Sequence, residues 1–427
     1  MCPRFLGGFF VPGRGRQGVD ARKDLMMLPA ATTPPRLFTL ILLSGLSVVT
    51  LNMFVASLSN IAEELQADYA LVTLSIAGYA GMTAVLQLVI GPLSDRFGRR
   101  PVILAGLLIF ILASLGCLFA TNIWTFLIFR LLQGAITSGL VISNAVVRDM
   151  VPVQEAASLM GYLAMAWAVA PMLGPMVGGV LDELFGWRAS FVAFAGAGVA
   201  IFGLCWVDLG ETHRTPSATF VKQFRSYPEL LRSRRFWGYA LCMAFSTGAF
   251  YAFLGGVPFV AKTMFGMSAA TLGFYMGTIT AGFLLGSFLS DRYAKRYPLT
   301  TMMIAGRLAA CTGLVVGLVL FLTGVVHVLS LFGACVFVGV GNGLTMPSSS
   351  AGAMSVRPKL AGSASGLSGA LTVGGGAVIS SITGALMTGE NGVYPVLVMM
   401  LLSSLMALIA ALYVLWVNRA ESLKEVE

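Results

Sequence analysis

The chain has little charge. Of its 427 residues only 11% are Asp, Glu, Lys or Arg, where a soluble domain carries roughly 25%. The deficit is uneven. No charged side chain occurs at 37–62, 69–94, 156–181, 189–207, 236–261, 263–290, 360–389 or 391–418, yet the ten residues "GPLSDRFGRR" at 91–100 carry four. Histidine is also scarce, with only His213 and His327, and the six cysteines (Cys2, Cys117, Cys205, Cys242, Cys311, Cys335) show no metal-ligand spacing. That argues against a His/Cys metal centre, and no cofactor is expected. Gly13, Gly15 and Gly18 match a dinucleotide fingerprint by chance, since no strand precedes them and no helix follows. No catalytic His, Cys or Ser constellation and no nucleotide-binding domain is legible, which excludes an ATP-driven pump and disfavours an enzyme or receptor on a membrane scaffold.

What is present is apolar sequence, 57% of the chain. Each charge-free window is about as long as the ~20 residues that cross a bilayer core. The stretch 101–147 divides into two spans at "ATNIW", residues 120–124, and 308–356 divides around "TGVVHV", residues 323–328. The expectation is an all-α integral membrane protein of twelve transmembrane helices, because runs this long suit helices and not the ~10-residue alternating strands of an outer-membrane barrel. If both termini face the cytoplasm, 23 of the 27 Lys and Arg lie on that side, Arg188 and Lys262 lie outside, and Arg130 and Arg307 fall within spans. The positive-inside rule favours this topology. The net charge of +9 is then a topology signal, and no nucleic-acid partner is expected.

"LSDRFGRR" at 93–100 recurs as "LSDRYAKR" at 289–296, the first after span two and the second after span eight. The chain therefore divides into a cytoplasmic tail (1–36), a six-helix half (37–209), a basic cytoplasmic linker (210–236), a second six-helix half (237–417) and a short tail (418–427). Parallel repeats of this kind suggest a transporter with its site between the halves near the membrane midplane.

The residues from Gly91 to Ile103, "GPLSDRFGRRPVI", resemble the loop signature of the major facilitator superfamily, G-x-L-x-D-R-x-G-R-R/K. "LIFRLLQGA" at 127–135 is similar to that family's fourth-span motif, and "APMLGPMVGG" at 170–179 to the fifth-span motif of exporters, with Ala170 for its first glycine. With "VRDMVP", "GWRASF" and "GSASGLSGAL", they make the chain resemble the bicyclomycin/chloramphenicol-resistance-like branch of twelve-span drug:proton antiporters. The resemblance covers roughly residues 38–417.

That resemblance implies a fold of two pseudo-symmetric halves and a monomer in the bacterial inner membrane that moves a small-molecule substrate in exchange for protons. Gly91, Asp95, Arg96, Gly98, Arg99 and Arg100 would form an inner gate, with Asp95 against the N-terminus of span eleven and Asp291 and Arg292 as the repeat's counterpart. Anchoring by the basic residues alone is the simpler alternative. Gly174, Pro175, Gly178 and Gly179 would pack span five closely so that the closed route does not leak, or serve as ordinary helix packing. Arg130, roughly 9 Å below the outer surface at 1.5 Å per residue, together with Gln133 would couple proton to substrate movement; snorkelling to the interface is the alternative. Polar and aromatic residues within spans nominate a cavity of Asn52, Tyr79, Arg130, Asn144, Trp167, Phe250, Tyr251, Tyr275 and Asn342, a lining that suits neutral or amphiphilic compounds.

One departure weakens the proton expectation. The family carries an acid in span one where this chain has Asn52 in "NMFVASLS", and an amide does not titrate. Asp95, Asp149 or Asp208 could substitute. Otherwise the protein is a proton-independent facilitator or an uptake transporter of a metabolite.

Overall fold

The computed structural model describes residues 35–150, 153–212, 228–293, 296–357, 360–388 and 392–424. The tail glycines, most of the expected linker and residues 294–295 of the repeated loop lie outside them. Among the described residues, eleven helices are long and apolar enough to cross a membrane. The 33-residue helix Val153–Phe185 completes a series of twelve. In chain order the spans are Leu37–Glu64, Tyr69–Phe97, Arg99–Leu118, Ile123–Met150, Val153–Phe185, Arg188–Asp208, Arg234–Thr263, Ala269–Tyr293, Leu299–Leu322, Val328–Ser355, Ala361–Leu386 and Tyr394–Lys424.

The breaks fall where the sequence offers capping groups. Asn122 accepts the Thr125 amide at 2.9 Å to begin span four, Ser233 accepts that of Phe236 at 3.3 Å to begin span seven, and His327 Nδ1 accepts that of Leu329 at 3.1 Å to begin span ten. Each satisfies a donor that the first helical turn leaves orphaned. Two spans are not continuous α-helix. Span one loosens over Met53–Ser57 and span four tightens into a 3₁₀ turn at Gly134–Ile136. Large apolar side chains such as Phe119, Phe185, Val207 and Leu322 point outward, as lipid contact requires.

Spans one to six pack on one another, chiefly three on six and one on five, and spans seven to twelve do likewise, chiefly nine on ten, eight on ten and seven on eleven and twelve. The two groups meet where span five lies on span eight and span two on span eleven. This arrangement leaves a seam along the bundle axis, and the site lies on that seam.

Candidate transport site

The end of the bundle that carries residues 91–100 is called the motif face below. At the opposite face the seam is shut. A Cβ on Gly179 would run into the Ala269 carbonyl and one on Gly273 into the Pro175 carbonyl, so spans five and eight touch backbone to backbone. Across the other contact, a Cβ on Gly384 of span eleven would come within 2.7 Å of Thr73 Cβ on span two. Tyr69 donates to the Gly255 carbonyl at 2.9 Å and its ring lies 4.9 Å from that of Phe259, tying span two to span seven. Toward the motif face the groups diverge. Added Cβ atoms on Gly374 and Gly369 would meet only Ala84 at 3.6 Å and the Gln87 side chain at 3.0 Å, and ones on Gly366 and Gly91 would have nothing within 4 Å. The glycines of span eleven thus meet span two closely at Gly384 and not at Gly366.

Arg130 is fully buried, which overturns the snorkelling alternative. Its guanidinium lies 4.0 Å from the centre of the Phe54 ring and 4.9 Å from that of Tyr79, a geometry in which aromatic faces offset part of the cost of burying a cation. Nη1 donates to Gln133 Oε1, Nη2 to the Thr50 carbonyl at 3.4 Å, and Nε is buried with no partner. Gln133 in turn donates to Ser114 of span three at 2.7 Å. The loosened turn of span one is what places Phe54 over the guanidinium. Among the described residues no ion pair of Arg130 is found.

The nominated cavity residues divide. Tyr79 donates to the Ser47 carbonyl at 2.9 Å and is buried beside Arg130. Asn52 is buried against Gly174, donates to the Val48 carbonyl at 2.8 Å, and leaves Oδ1 without a partner. Tyr251 packs on Gly376 of span eleven, a position a Cβ would contest at 2.7 Å. Phe250, Tyr275 and Asn144 are half-buried; the Tyr275 ring lies 4.9 Å from that of Phe332, and Asn144 donates to the Leu140 carbonyl at 3.3 Å. Trp167 lies in span five, where its side chain is outside the described residues. Asn342 is buried inside the second group, where it accepts from Arg307 of span nine at 2.8 Å.

Arg307 itself was legible only as a basic residue inside a span. It is fully buried, donates from Nε to Thr345 at 3.0 Å, and leaves Nη1 without a partner. Each group of spans therefore encloses one guanidinium held by neutral side chains.

In span five, added Cβ atoms on Gly174 and Gly178 would strike Asn52 and the Met53 carbonyl. The motif consequently seats span five on the loosened turn of span one, and through Gly179 on span eight. Pro175 contributes the carbonyl that meets Gly273.

At the motif face the charges are interlinked. Arg99 is 6% exposed, pairs with Asp95 at 2.6 Å and Asp149 at 3.2 Å, and donates to Ser94 at 2.5 Å. Arg100 donates to the Trp206 carbonyl at 2.7 Å and stacks over that indole, while Arg96 lies over Phe97. Gly98 adopts φ +96°, open to glycine and strained for other residues. Glu211 seats its carboxylate on the N-terminus of span three, accepting the Arg99 and Arg100 amides, while Asp95 faces Arg99. Asp208 accepts from the Arg36 amide at 2.9 Å and Thr39 Oγ1 at 2.6 Å at the start of span one. Asp291 and Arg292 are exposed at the end of span eight.

Residues 37–380 match the sequence profile of the Major Facilitator Superfamily. An uncharacterized MFS-type transporter of Bacillus subtilis, YdgK, is 32% identical over 81% of this chain and 88% of its own length. Multidrug resistance protein D of Escherichia coli is 29% identical over 83% and 90%, and a bicyclomycin resistance protein homolog of Haemophilus influenzae 26% over 82% and 89%. Among solved structures, a bacterial homolog of the lysosomal transporter Spinster, crystallised inward-facing and unoccupied, superposes with a TM-score of 0.70 at 16% identity, covering 90% of this chain and 96% of that one. The nucleoside transporter NupG does so with 0.71 at 15% identity, covering 89% and 98%. Twelve spans in two groups and a seam closed at one end accord with these likenesses, and the chain belongs to the major facilitator superfamily.

Proposed function

We propose that this protein exports small hydrophobic or amphiphilic compounds from the cell by alternating access, in exchange for protons. The observation that carries the reading is the wedge between the two groups of spans, which is shut by backbone contact at Gly179 and by the Thr73 side chain against Gly384, and has open space at Gly366 and Gly91. A seam of that shape lets two rigid groups rock about a central site. Relatives named for multidrug and bicyclomycin resistance support the substrate class, and aromatic rings beside few fixed charges suit it physically.

In this reading the halves are 37–209 and 237–417, joined by the basic linker 210–236. The protein is a monomer in the bacterial inner membrane with both termini and the motif face in the cytoplasm, in keeping with 23 of its 27 Lys and Arg falling on that side. The structure is then open to the cytoplasm. Asp95, paired with Arg99 here, exchanges that partner for span eleven when the inner end closes, and Asp291 does the same toward span five. Arg130 and Gln133 link substrate occupancy to the shape of span one.

A second reading, a proton-independent facilitator, is favoured by one observation, the non-titrating Asn52 in span one. Purified protein in vesicles with an imposed pH gradient separates the two. Antiport predicts substrate-evoked movement of internal pH and flux that follows the gradient, whereas flux indifferent to the gradient establishes the facilitator. Asp95→Asn should abolish transport at unchanged protein abundance.

A further inference from the structure

An exchanger needs a titrating group whose surroundings change when the two groups of spans move. Three carboxylates near the motif face are already engaged within one group of spans. Asp95 and Asp149 are paired with Arg99, and Asp208 is bonded to Arg36 and Thr39. All of these contacts are made within spans one to six, and none of the three carboxylates is buried in this structure.

The closed face holds a different arrangement. Asp182, three residues beyond Gly179 near the end of span five, is 7% exposed and is the one buried carboxylate among the described residues. Its Oδ2 accepts from Asn60 Nδ2 at 2.7 Å. The Oδ1 of the same amide accepts from Lys262 Nζ at 2.9 Å, and Lys262 comes from span seven, in the other group. A single amide thus stands between a buried carboxylate and a cation that belong to opposite sides of the seam. Lys262 also pairs with Glu63 at 2.7 Å, but the Glu63 side chain is 70% exposed and stays hydrated whichever way the seam opens. The other charges near Asp182 are Glu64, engaged by Arg188 of span six, and exposed Glu183 on its own helix. Span eight and the loop before it carry no charge from 263 to 290.

We infer that Asp182 is the proton-binding residue of the transport cycle, and that Lys262 adjusts its proton affinity from across the seam. The inference rests on the transport reading above. When the closed face opens, Asp182 meets water and Lys262 withdraws. When it closes, the carboxylate is carried out of water, which costs free energy when it is ionised and little when it is protonated. The proton comes from water at the opposite face. Lys262, one amide away, offsets part of the cost of the ionised form, so closure without a proton is disfavoured and not forbidden. Acid on the opposite face therefore drives the return to the motif-open state, the direction an exporter requires after releasing its cargo outside.

The test reads conformation without any transported compound. Spin labels go on cysteines replacing Asp68 and Met264, one exposed position from each group, in a Cys2→Ser background, the five described native cysteines being buried. In lipid discs the distance between the labels should shorten as pH falls. Asp182→Asn should give the short distance at every pH, and Lys262→Gln should keep the response while enlarging the long-distance population at alkaline pH. An unresponsive parent protein, an Asp182→Asn protein that responds like the parent, or a Lys262→Gln protein with the parent's populations overturns the inference. If Asp182→Asn does not fold, the Lys262→Gln comparison decides alone. Since no substrate enters, a protein that proves not to export drugs still yields a readable answer.

Discussion

Glu211 holds the start of Arg99's helix. Its two carboxylate oxygens accept the backbone amides of Arg99 at 2.9 Å and Arg100 at 3.2 Å. A residue from beyond span six thereby neutralises the partial positive charge of span three's N-terminus, and the turn that brings them together requires Gly98 at φ +96°.

Glu211→Gln keeps the shape of the cap and removes its charge, which is worth about 0.3–1 kcal/mol at a surface site and up to about 2 when partly buried. Gly98→Ala should cost more, because its Cβ would strike the Glu211 carboxylate in a backbone region, φ 96° and ψ 153°, that costs non-glycine residues about 1–3 kcal/mol. Thermal unfolding in detergent should rank the midpoints as parent, then Glu211→Gln, then Gly98→Ala.

The Arg307–Asn342 hydrogen bond predicts an asymmetry. Asn342→Leu leaves a buried guanidinium short of an acceptor, a loss of about 1.5–3 kcal/mol for a hydrogen bond to a charged group. Arg307→Met removes the cation itself and should be the milder change. Unfolding midpoints of the two single variants check this, and the double variant should lie closer to Arg307→Met than to Asn342→Leu.

Gly179→Ala tests the seam. The new methyl has no room against the Ala269 carbonyl, whereas one at Gly81 meets nothing within 4 Å. Gly179→Ala should hold spans five and eight apart, expose Thr73→Cys to a membrane-impermeant thiol reagent from the opposite face, and abolish transport. Gly81→Ala should match the parent in both measurements.

Arg130→Lys preserves charge and discards the planar fork that reaches Gln133 and the Thr50 carbonyl while lying over Phe54. Arginine and lysine are not equivalent at such a site. Flux should fall at least about tenfold, equivalent to about 1.4 kcal/mol, with abundance in the membrane unchanged.

Twelve spans, their breaks at 120–124 and 323–328 and the family itself were legible because apolar length, charge clustering and the repeat around Asp95 and Asp291 are properties of the chain read in order. Arg130 was also legible, since a cation inside a span is rare enough to stand out. The partners were not. Nothing local says that Asn342 belongs to Arg307, that Glu211 occupies a helix end, or that span one loosens at Met53 where Gly178 presses on it.

Asp182 marks the division most clearly. The sequence alone establishes that it lies just past a charge-free run, one acid among several near span ends, because solvation cost is summed along each helix and decides what crosses the bilayer. Only the tertiary structure decides that its neighbours are Asn60 and, one amide further, Lys262, some eighty residues along the chain. A carboxylate's proton affinity follows from the water and charges within a few ångströms, and in this protein those are supplied by helices from both sides of a seam that opens and shuts.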